Sequence, residues 1–516
     1  MIDITAIKDK KNINVYINKK LVKYKDNYCY CYGNIYNYNK DDLINLYEKY
    51  GTSLFDKLNG EYFIIMVYKN KLICVRDRLG SKLLYYSNID NKLIVSNSLN
   101  YFINNYKDKL TINKQTVANY LNYNYINEPL TIFNEVKKIE SGCYLVNNKS
   151  YRYYDLIEEF KNNKNTTRDY NECEKVVEDS LIDATKLRIK GKKNIGIYFS
   201  SGVDSTLITS IVMKYKLDDQ IVNTYTIGYK DSSKDESTHA EKFSKYLNTN
   251  HHTFYFTKED VKNVVEKIVD IYSEPLSDYS IIPMTFLNSK VNDSDIILSG
   301  DGSDQMFCGS NLYHHKYFSF MYRLLKKDKT YTPYNPKLYY VKQFMGIEPE
   351  YYDKYRHLKY NKRLCYMLYD IKCFLSNRLL PKVSLPAMYY DNNIAHPFCD
   401  INVLDYSLKI NQKYKYYKKE KKYIIKNVLY KYIDKEEFDA TKKGFGIPLK
   451  EWLNDIFLSD IEKLSTKEFL EKQNIFKYDI VNTYINNLKN DLLNNNELYI
   501  LFSYYIFQLW YSKYML

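Results

Sequence analysis

Ser200-Ser201-Gly202-Val203-Asp204-Ser205 follows the short apolar run Ile195 to Phe199 and precedes the apolar stretch Leu207 to Met213. That order predicts a strand, a tight turn of small residues and a helix. A Ser/Gly turn at a helix N-terminus aims unpaired backbone N–H groups and the positive end of the helix dipole at one point. This makes an anion site, with phosphate the expected guest. The spacing is not that of a Walker loop, because no Gly-Lys-Ser/Thr follows the turn. Short turns of this kind also occur in α/β domains where they bind nothing. The fold and the function therefore rest on what the rest of the chain places beside this turn.

The 516 residues suffice for two or three domains, each with a sizeable core. The net charge is +14, but Lys is scattered among Tyr and Asn, and the longest basic block, Lys418 to Lys422, is interrupted by Glu420. This reads as compositional bias, so nucleic acid is not an expected partner. A basic balance also suits a site that handles ATP and pyrophosphate. The nine cysteines are odd in number and form no paired CxxC spacing, and His251-His252 has no matching partner, so reduced thiols and no structural metal are expected. The start, Met1-Ile2-Asp3-Ile4, is polar, and no apolar run reaches the roughly 18 residues of a membrane span. A cytoplasmic protein with no membrane partner is the expectation.

Residues 1–150 alternate β-like runs with turns: Ile13 to Ile17, Tyr28 to Tyr32, Tyr62 to Tyr68, Leu72 to Arg76, Leu83 to Tyr86, Leu93 to Ser96 and Gly142 to Val146. One helical pattern, Asp41 to Tyr50, interrupts them. Residues 151–170 turn polar and read as a linker. From 171 the period changes. Helical spacing over Glu172 to Ile189 is followed by strand-like runs at Ile195 to Phe199, Ile221 to Ile227, Thr253 to Phe256 and Asp295 to Ser299, separated by helical patterns. Strands joined by helical crossovers predict a doubly wound parallel sheet, with ligands beyond the carboxyl ends of its strands. Beyond 310 the chain reads as helical, without strand alternation.

A second acidic turn, Ser299-Gly300-Asp301-Gly302-Ser303-Asp304, follows the strand at 295–298. Two such loops at one sheet edge deliver Asp204 and Asp304 as Mg²⁺ ligands beside the phosphates of ATP, since Mg²⁺ takes one or two carboxylates plus phosphate oxygens. Either loop alone also reads as an Asx turn satisfying its own backbone. A third stretch, Thr441-Lys442-Lys443-Gly444-Phe445-Gly446-Ile447-Pro448-Leu449, holds lysines before a glycine turn and a helix begun by proline, a place from which a cation can stabilise developing negative charge.

Taken in order, these stretches resemble the synthetase domain of the asparagine synthetase B family. The loop resembles its SGGxDS pyrophosphatase (PP) loop, with Ser201 where the family has its first glycine. Tyr225-Thr226-Ile227-Gly228-Tyr229, Asp235-Glu236, Glu274-Pro275 with Asp278, Ser280, Ile282 and Pro283, Pro397-Phe398-Cys399-Asp400 and Lys442 to Pro448 complete the set. In residues 1–150, Gly33-Asn34-Ile35-Tyr36-Asn37, Leu58-Asn59-Gly60-Glu61-Tyr62-Phe63 and Arg76-Asp77-Arg78-Leu79-Gly80-Ser81-Lys82 resemble the family's glutaminase domain. That domain needs an N-terminal cysteine whose own amine acts as base, whereas this sequence starts Met1-Ile2. Tyr32 stands at the family's oxyanion-hole Asn, and the segment before it is short. The domain is therefore expected to be a degenerate N-terminal-nucleophile (Ntn-hydrolase-like) fold without glutaminase activity. The whole is α+β followed by α/β: a β-rich first domain (1–150), a linker (151–170) and a PP-loop synthetase domain with a helical end (171–516).

The resemblance implies a two-step reaction with ATP and Mg²⁺ as cofactors: a carboxylate attacks the α-phosphorus of ATP, and an amine then displaces AMP. Ser200, Ser201, Gly202 and Ser205 would cradle phosphate, with Phe199, Ile227, Ser299 and Gly300 around the adenosine. Asp204 and Asp304 would bind Mg²⁺. Lys442 and Asp301 would be catalytic, the first for the charged intermediate and the second as base for the incoming amine. Gln305 replaces a family Glu. The expected partners are a small-molecule or peptide carboxylate, an amine or ammonia, and a second copy of the chain. One reading is an amine-accepting ligase such as a lasso peptide macrolactam cyclase, which brings a leader-peptide-binding or protease partner. The other is an ammonia-dependent asparagine synthetase. A non-catalytic scaffold would have lost the phosphate and lysine motifs, and a tRNA-modifying PP-loop enzyme would lack the Asn59-Gly60-Glu61 domain.

Overall fold

The structure, a computed structural model, describes residues 2–10, 12–162, 169–229, 235, 237–310, 337–350, 362–438 and 447–516. The first domain is built on two antiparallel sheets. One contains Ile4–Lys8, Ile13–Ile17, Lys20–Leu21, Lys92–Ser96, Tyr85–Ile89 and Val136–Lys138; the other contains Lys149–Arg152, Cys143–Val146, Lys71–Arg76, Gly60–Tyr68 and Tyr28–Ile35. The run Gly60–Tyr68 is apolar throughout because both of its faces are covered. Phe63, Ile65 and Val67 meet the opposite sheet, while Tyr62, Ile64 and Met66 meet the helices around Leu43, Leu54 and Phe55. Helices Leu99–Tyr106 and Lys114–Tyr123 cover the outer face of the other sheet through Phe102, Val117 and Leu121. The result is four layers, helix, sheet, sheet, helix.

The expected linker carries secondary structure. Lys149–Arg152 pairs with Cys143–Val146, and helix Leu156–Asn162 buries Leu156 and Phe160 in the core of the second domain. Polar composition concealed these elements because the strand is exposed throughout and the helix buries only one side.

The second domain has a five-stranded, all-parallel sheet: β1 (Asn194–Tyr198), β2 (Ile221–Gly228), β3 (Asn250–Tyr255), β4 (Ile296–Leu298) and β5 (Ile394–Ala395), in the order β3-β2-β1-β4-β5. Helices cover both faces. Ile195 and Ile197 of β1 pack with Leu207 on one side, and Tyr198 and Ile227 pack with Phe286 on the other. The strand order reverses between β1 and β4, so the loops that follow them diverge and leave a crevice at their carboxyl ends. The expectation of no strand beyond 310 is corrected by β5 and by the hairpin Tyr416–Tyr417/Glu420–Lys421; two-residue strands are too short to show alternation.

The domains meet through buried charge. The Arg188 guanidinium is fully buried; it donates to Glu61 at 3.1 Å and to Asp400 at 2.9 Å, and it lies over the Tyr36 ring. Asn59 Nδ2 donates to the same Asp400 oxygen at 2.9 Å. Thus Asn59, Glu61 and Asp400 hold the two domains together. Gly33 and Gly60 permit the tight strand pair beneath: a Cβ on either would lie 2.1 Å from a backbone carbonyl oxygen of the other strand.

Candidate active site

Beyond the ends of β1 and β4 lies a cavity of ≈ 260 Å³ lined by Phe199, Ser200, Gly202, Asp204, Ser205, Ile227, Ser299, Gly300, Asp301 and Asp304. Ten positions from three separate stretches converge on one space. Helix Val203–Tyr215 starts at Gly202, placing Asp204 in its first turn. Ser205 Oγ lies 3.3 Å from both Ser200 N and Ser200 Oγ, so the turn is closed by its own hydroxyls. Gly300 must be glycine, because a Cβ there would lie 2.8 Å from Asp204 Cβ. Ser299 donates to Asp301 Oδ2 at 2.5 Å and orients that carboxylate.

Ser201 does not reach the cavity as expected. Its backbone is left-handed, with φ at 50°, and its buried hydroxyl donates to Ser200 O at 2.7 Å and lies 2.8 Å from His239 Nδ1. The turn needs this conformation, which a non-glycine residue adopts only with strain, and the hydroxyl's partners offset part of that cost.

Asp204 and Asp304 do converge, but the space between them holds Lys422. Its ammonium is 2.6 Å from Asp204 Oδ2 and 2.6 Å from Asp304 Oδ1. Burial opposes its charge, but the two carboxylates outweigh burial and hold its pKa above the usual lysine value. Gly309 makes room for the pair, since a Cβ there would lie 1.7 Å from Asp304 Oδ1. The two expected Mg²⁺ ligands thus share an ammonium between them. Asp204 Oδ1 is buried without a partner, which leaves one carboxylate oxygen fit for a metal. Among the described residues no cluster of three or more His, Cys, Asp or Glu forms a self-sufficient metal site.

Lys422 was invisible in the sequence because it sits in the run Lys418 to Lys422, which reads as compositional bias. No spacing connects it to Asp204, 218 positions away, or to Asp304, more than a hundred away. Lys442 and the rest of Thr441–Gly446 lie outside the described residues, as does Glu236. Ile447 and Trp452 beyond that stretch are buried, and Trp452 packs on Phe256 just past β3, at the same sheet edge. Asp278 and Glu274 serve architecture: Asp278 accepts from Arg378 Nε at 2.8 Å and caps Ser280, while Glu274 pairs with Lys138 of the first domain.

Residues 176–512 match the family model for asparagine synthase, and residues 39–160 match that for a glutamine amidotransferase domain. The chain belongs to the asparagine synthase family. Asparagine synthetase 1 (glutamine-hydrolyzing) of Bacillus subtilis is 23% identical over 506 residues, 86% of this chain and 77% of its own length. Amidase chry2 of Gibberella zeae is 28% identical and amidase chyE of Penicillium rubens 27%, each over 52% of this chain and 43% of the relative. A Methanocaldococcus jannaschii relative, 28% identical, aligns over 53% of its length, so the chain spans about half of several curated relatives. Among the described residues no helix of this asparagine synthase family member is long and apolar enough to cross a membrane.

Proposed function

We propose that this chain is an ATP-dependent, AMP-forming amide ligase that hydrolyses no glutamine. The observation that carries this reading is the cavity at the sheet's switch point where the Ser200–Ser205 turn, Asp204, Asp301 and Asp304 converge, with the Lys422 ammonium pairing Asp204 and Asp304 behind it. In the first step an oxygen of the substrate carboxylate bonds to the α-phosphorus of ATP, the bond to the β-phosphate oxygen breaks, and pyrophosphate leaves. Gly202 at the helix start and the hydroxyls of Ser200 and Ser205 hold phosphate oxygens, with Lys422 balancing their charge. Mg²⁺ would be held by Asp204 Oδ1, with Asp304 beside it, and when bound it neutralises phosphate charge. Phe199 and Ile227 flank the adenosine. In the second step the amine nitrogen bonds to the acyl carbon, its proton passes to Asp301 and AMP leaves. Lys442 steadies the charged intermediate, as the family resemblance implies.

The loss of glutaminase activity is supported inside the first domain. Cys29, Cys31, Cys74 and Cys143 are its thiols, and burial raises the pKa of each, Cys31 to about 12 and Cys143 to about 11. A thiol held so high is a poor nucleophile at neutral pH. Tyr32, at the expected oxyanion position, stacks on Phe63 with centroids 5.4 Å apart.

The nitrogen then comes from an amine, as in a peptide macrolactam cyclase, which would act with a leader-peptide-binding or protease partner. An ammonia-dependent asparagine synthetase is the second reading, favoured by Asp301 at the junction of the nucleotide cavity with a neighbouring polar one. The test is exchange of labelled pyrophosphate into ATP with aspartate and with acidic peptides, alongside release of glutamate from glutamine. Failure of exchange with every carboxylate offered, or glutaminase activity above background, overturns the corresponding half of the proposal. Asparagine formed from aspartate and ammonium selects the second reading.

A further inference from the structure

A second cavity, of ≈ 450 Å³, adjoins the nucleotide cavity and shares Asp301, Asp304, Gln305, Leu379 and Lys382 with it. Its far wall comes from the first domain, at the end of helix Lys114–Tyr123 and the residues that follow it. Two observations there point to a ligand. Asn122 is 3% exposed, and both its amide oxygen and its amide nitrogen are buried without a hydrogen-bond partner. A buried carboxamide left open at both ends costs stability unless something binds it. Beside it Lys337 is buried, its ammonium held by Asn124 of the same first-domain segment. Burial, reinforced by Arg378, pushes the Lys337 pKa down to about 7. Arg378 itself is partly neutralised by Asp278. Among the described residues, this end of the cavity thus holds a cation with no anion paired to it, and an amide that lacks a partner.

We propose that the amidotransferase-like domain acts here as a substrate-binding domain, in which Asn122, together with Lys337, holds a carboxylate of the substrate other than the one that reacts. The reacting carboxylate lies at the Asp301 and Gln305 junction, and the second one points away from the nucleotide. A carboxylate fits both groups, accepting from the Lys337 ammonium and from Asn122 Nδ2. The domain would then be retained for recognition after glutamine chemistry is lost. This inference rests on the ligase reading in placing the carboxylate substrate beside Asp301, and on the second form of that reading in taking free aspartate as that substrate.

The test is binding, measured by calorimetry on the full chain with α,β-methylene ATP present, so that no turnover is needed. The probes are L-aspartate and β-alanine, which is the same molecule without its α-carboxylate. Aspartate is expected to bind at least 10-fold more tightly than β-alanine. Asn122→Leu and Lys337→Met should bring that ratio close to one with nucleotide affinity unchanged, which also shows that the variants are folded. Lys337→Arg, which keeps the cation, should retain the preference. Equal binding of the two probes, no binding of either, or an undiminished ratio in Asn122→Leu and Lys337→Met overturns the proposal. Absence of pyrophosphate exchange alongside an intact binding preference would sink the ligase reading and leave this site standing.

Discussion

The Lys422 ammonium sits 2.6 Å from Asp204 and 2.6 Å from Asp304, joining the two loops that end β1 and β4. The ammonium lies between the two carboxylates and offsets the repulsion of their like charges. Lys422→Met should therefore lower carboxylate-dependent pyrophosphate exchange on the order of 100-fold, the scale of losing one preorganised charge at a reacting centre. Gly309→Ala should act in the same direction, because its Cβ would displace Asp304. Exchange rates of the two variants against wild type check both.

Asp204 has a separate duty through its unpartnered Oδ1. Asp204→Ala is expected to abolish adenylation, and Asp204→Asn to raise the Mg²⁺ concentration needed for half-maximal exchange. A Mg²⁺ titration of the exchange reaction distinguishes the two effects. Full activity of the alanine variant would contradict the metal assignment.

Arg188 lies fully buried between Glu61 and Asp400, so removing it strands two carboxylates in the domain interface. Arg188→Met should cost about 3–5 kcal/mol, the usual penalty for breaking a buried ion pair from one side. The loss is read from urea unfolding, with a separate transition for the freed domains as a further expected sign.

Glu128 predicts a pH dependence. Its carboxylate is buried; burial raises its pKa, but Lys372 at 2.9 Å, Arg76 at 3.0 Å and Ser141 outweigh burial and bring it down to about 2. A folded pKa below the unfolded value contributes stability that is present above the unfolded value and lost as pH falls through the folded one. Stability should thus decline between about pH 4.5 and pH 2, by an amount on the order of 3 kcal/mol from this group. Glu128→Gln should be less stable at neutral pH and show a shallower slope across that window in chemical unfolding at stepped pH.

Much of the fold was legible. The strands at 13–17, 62–68, 195–199 and 221–227 all appear within a residue or two of their expected ends, because their apolar runs are long enough to carry a period. Lys20–Leu21 and Ile394–Ala395 were not legible: two residues have no period, and both exist only because a neighbouring strand offers its edge. The polar stretch after 150 hid a strand and a helix for the same kind of reason, since only Leu156 and Phe160 of the helix face a core.

At the site, the sequence by itself determined the chemistry on offer: a small-residue turn at a helix start, two acidic loops and a set of motifs in a recognisable order. These are local features, and local backbone preferences specify them. Only the tertiary structure decided that Lys422 lies between Asp204 and Asp304, that Ser201 turns to His239, and that Asn122 and Asn124 of the first domain reach the cavity beside Asp301. Each of these joins residues far apart in the chain. In a sequence this rich in lysine and asparagine, composition cannot mark which one is buried, and burial is what makes a charge or an amide matter.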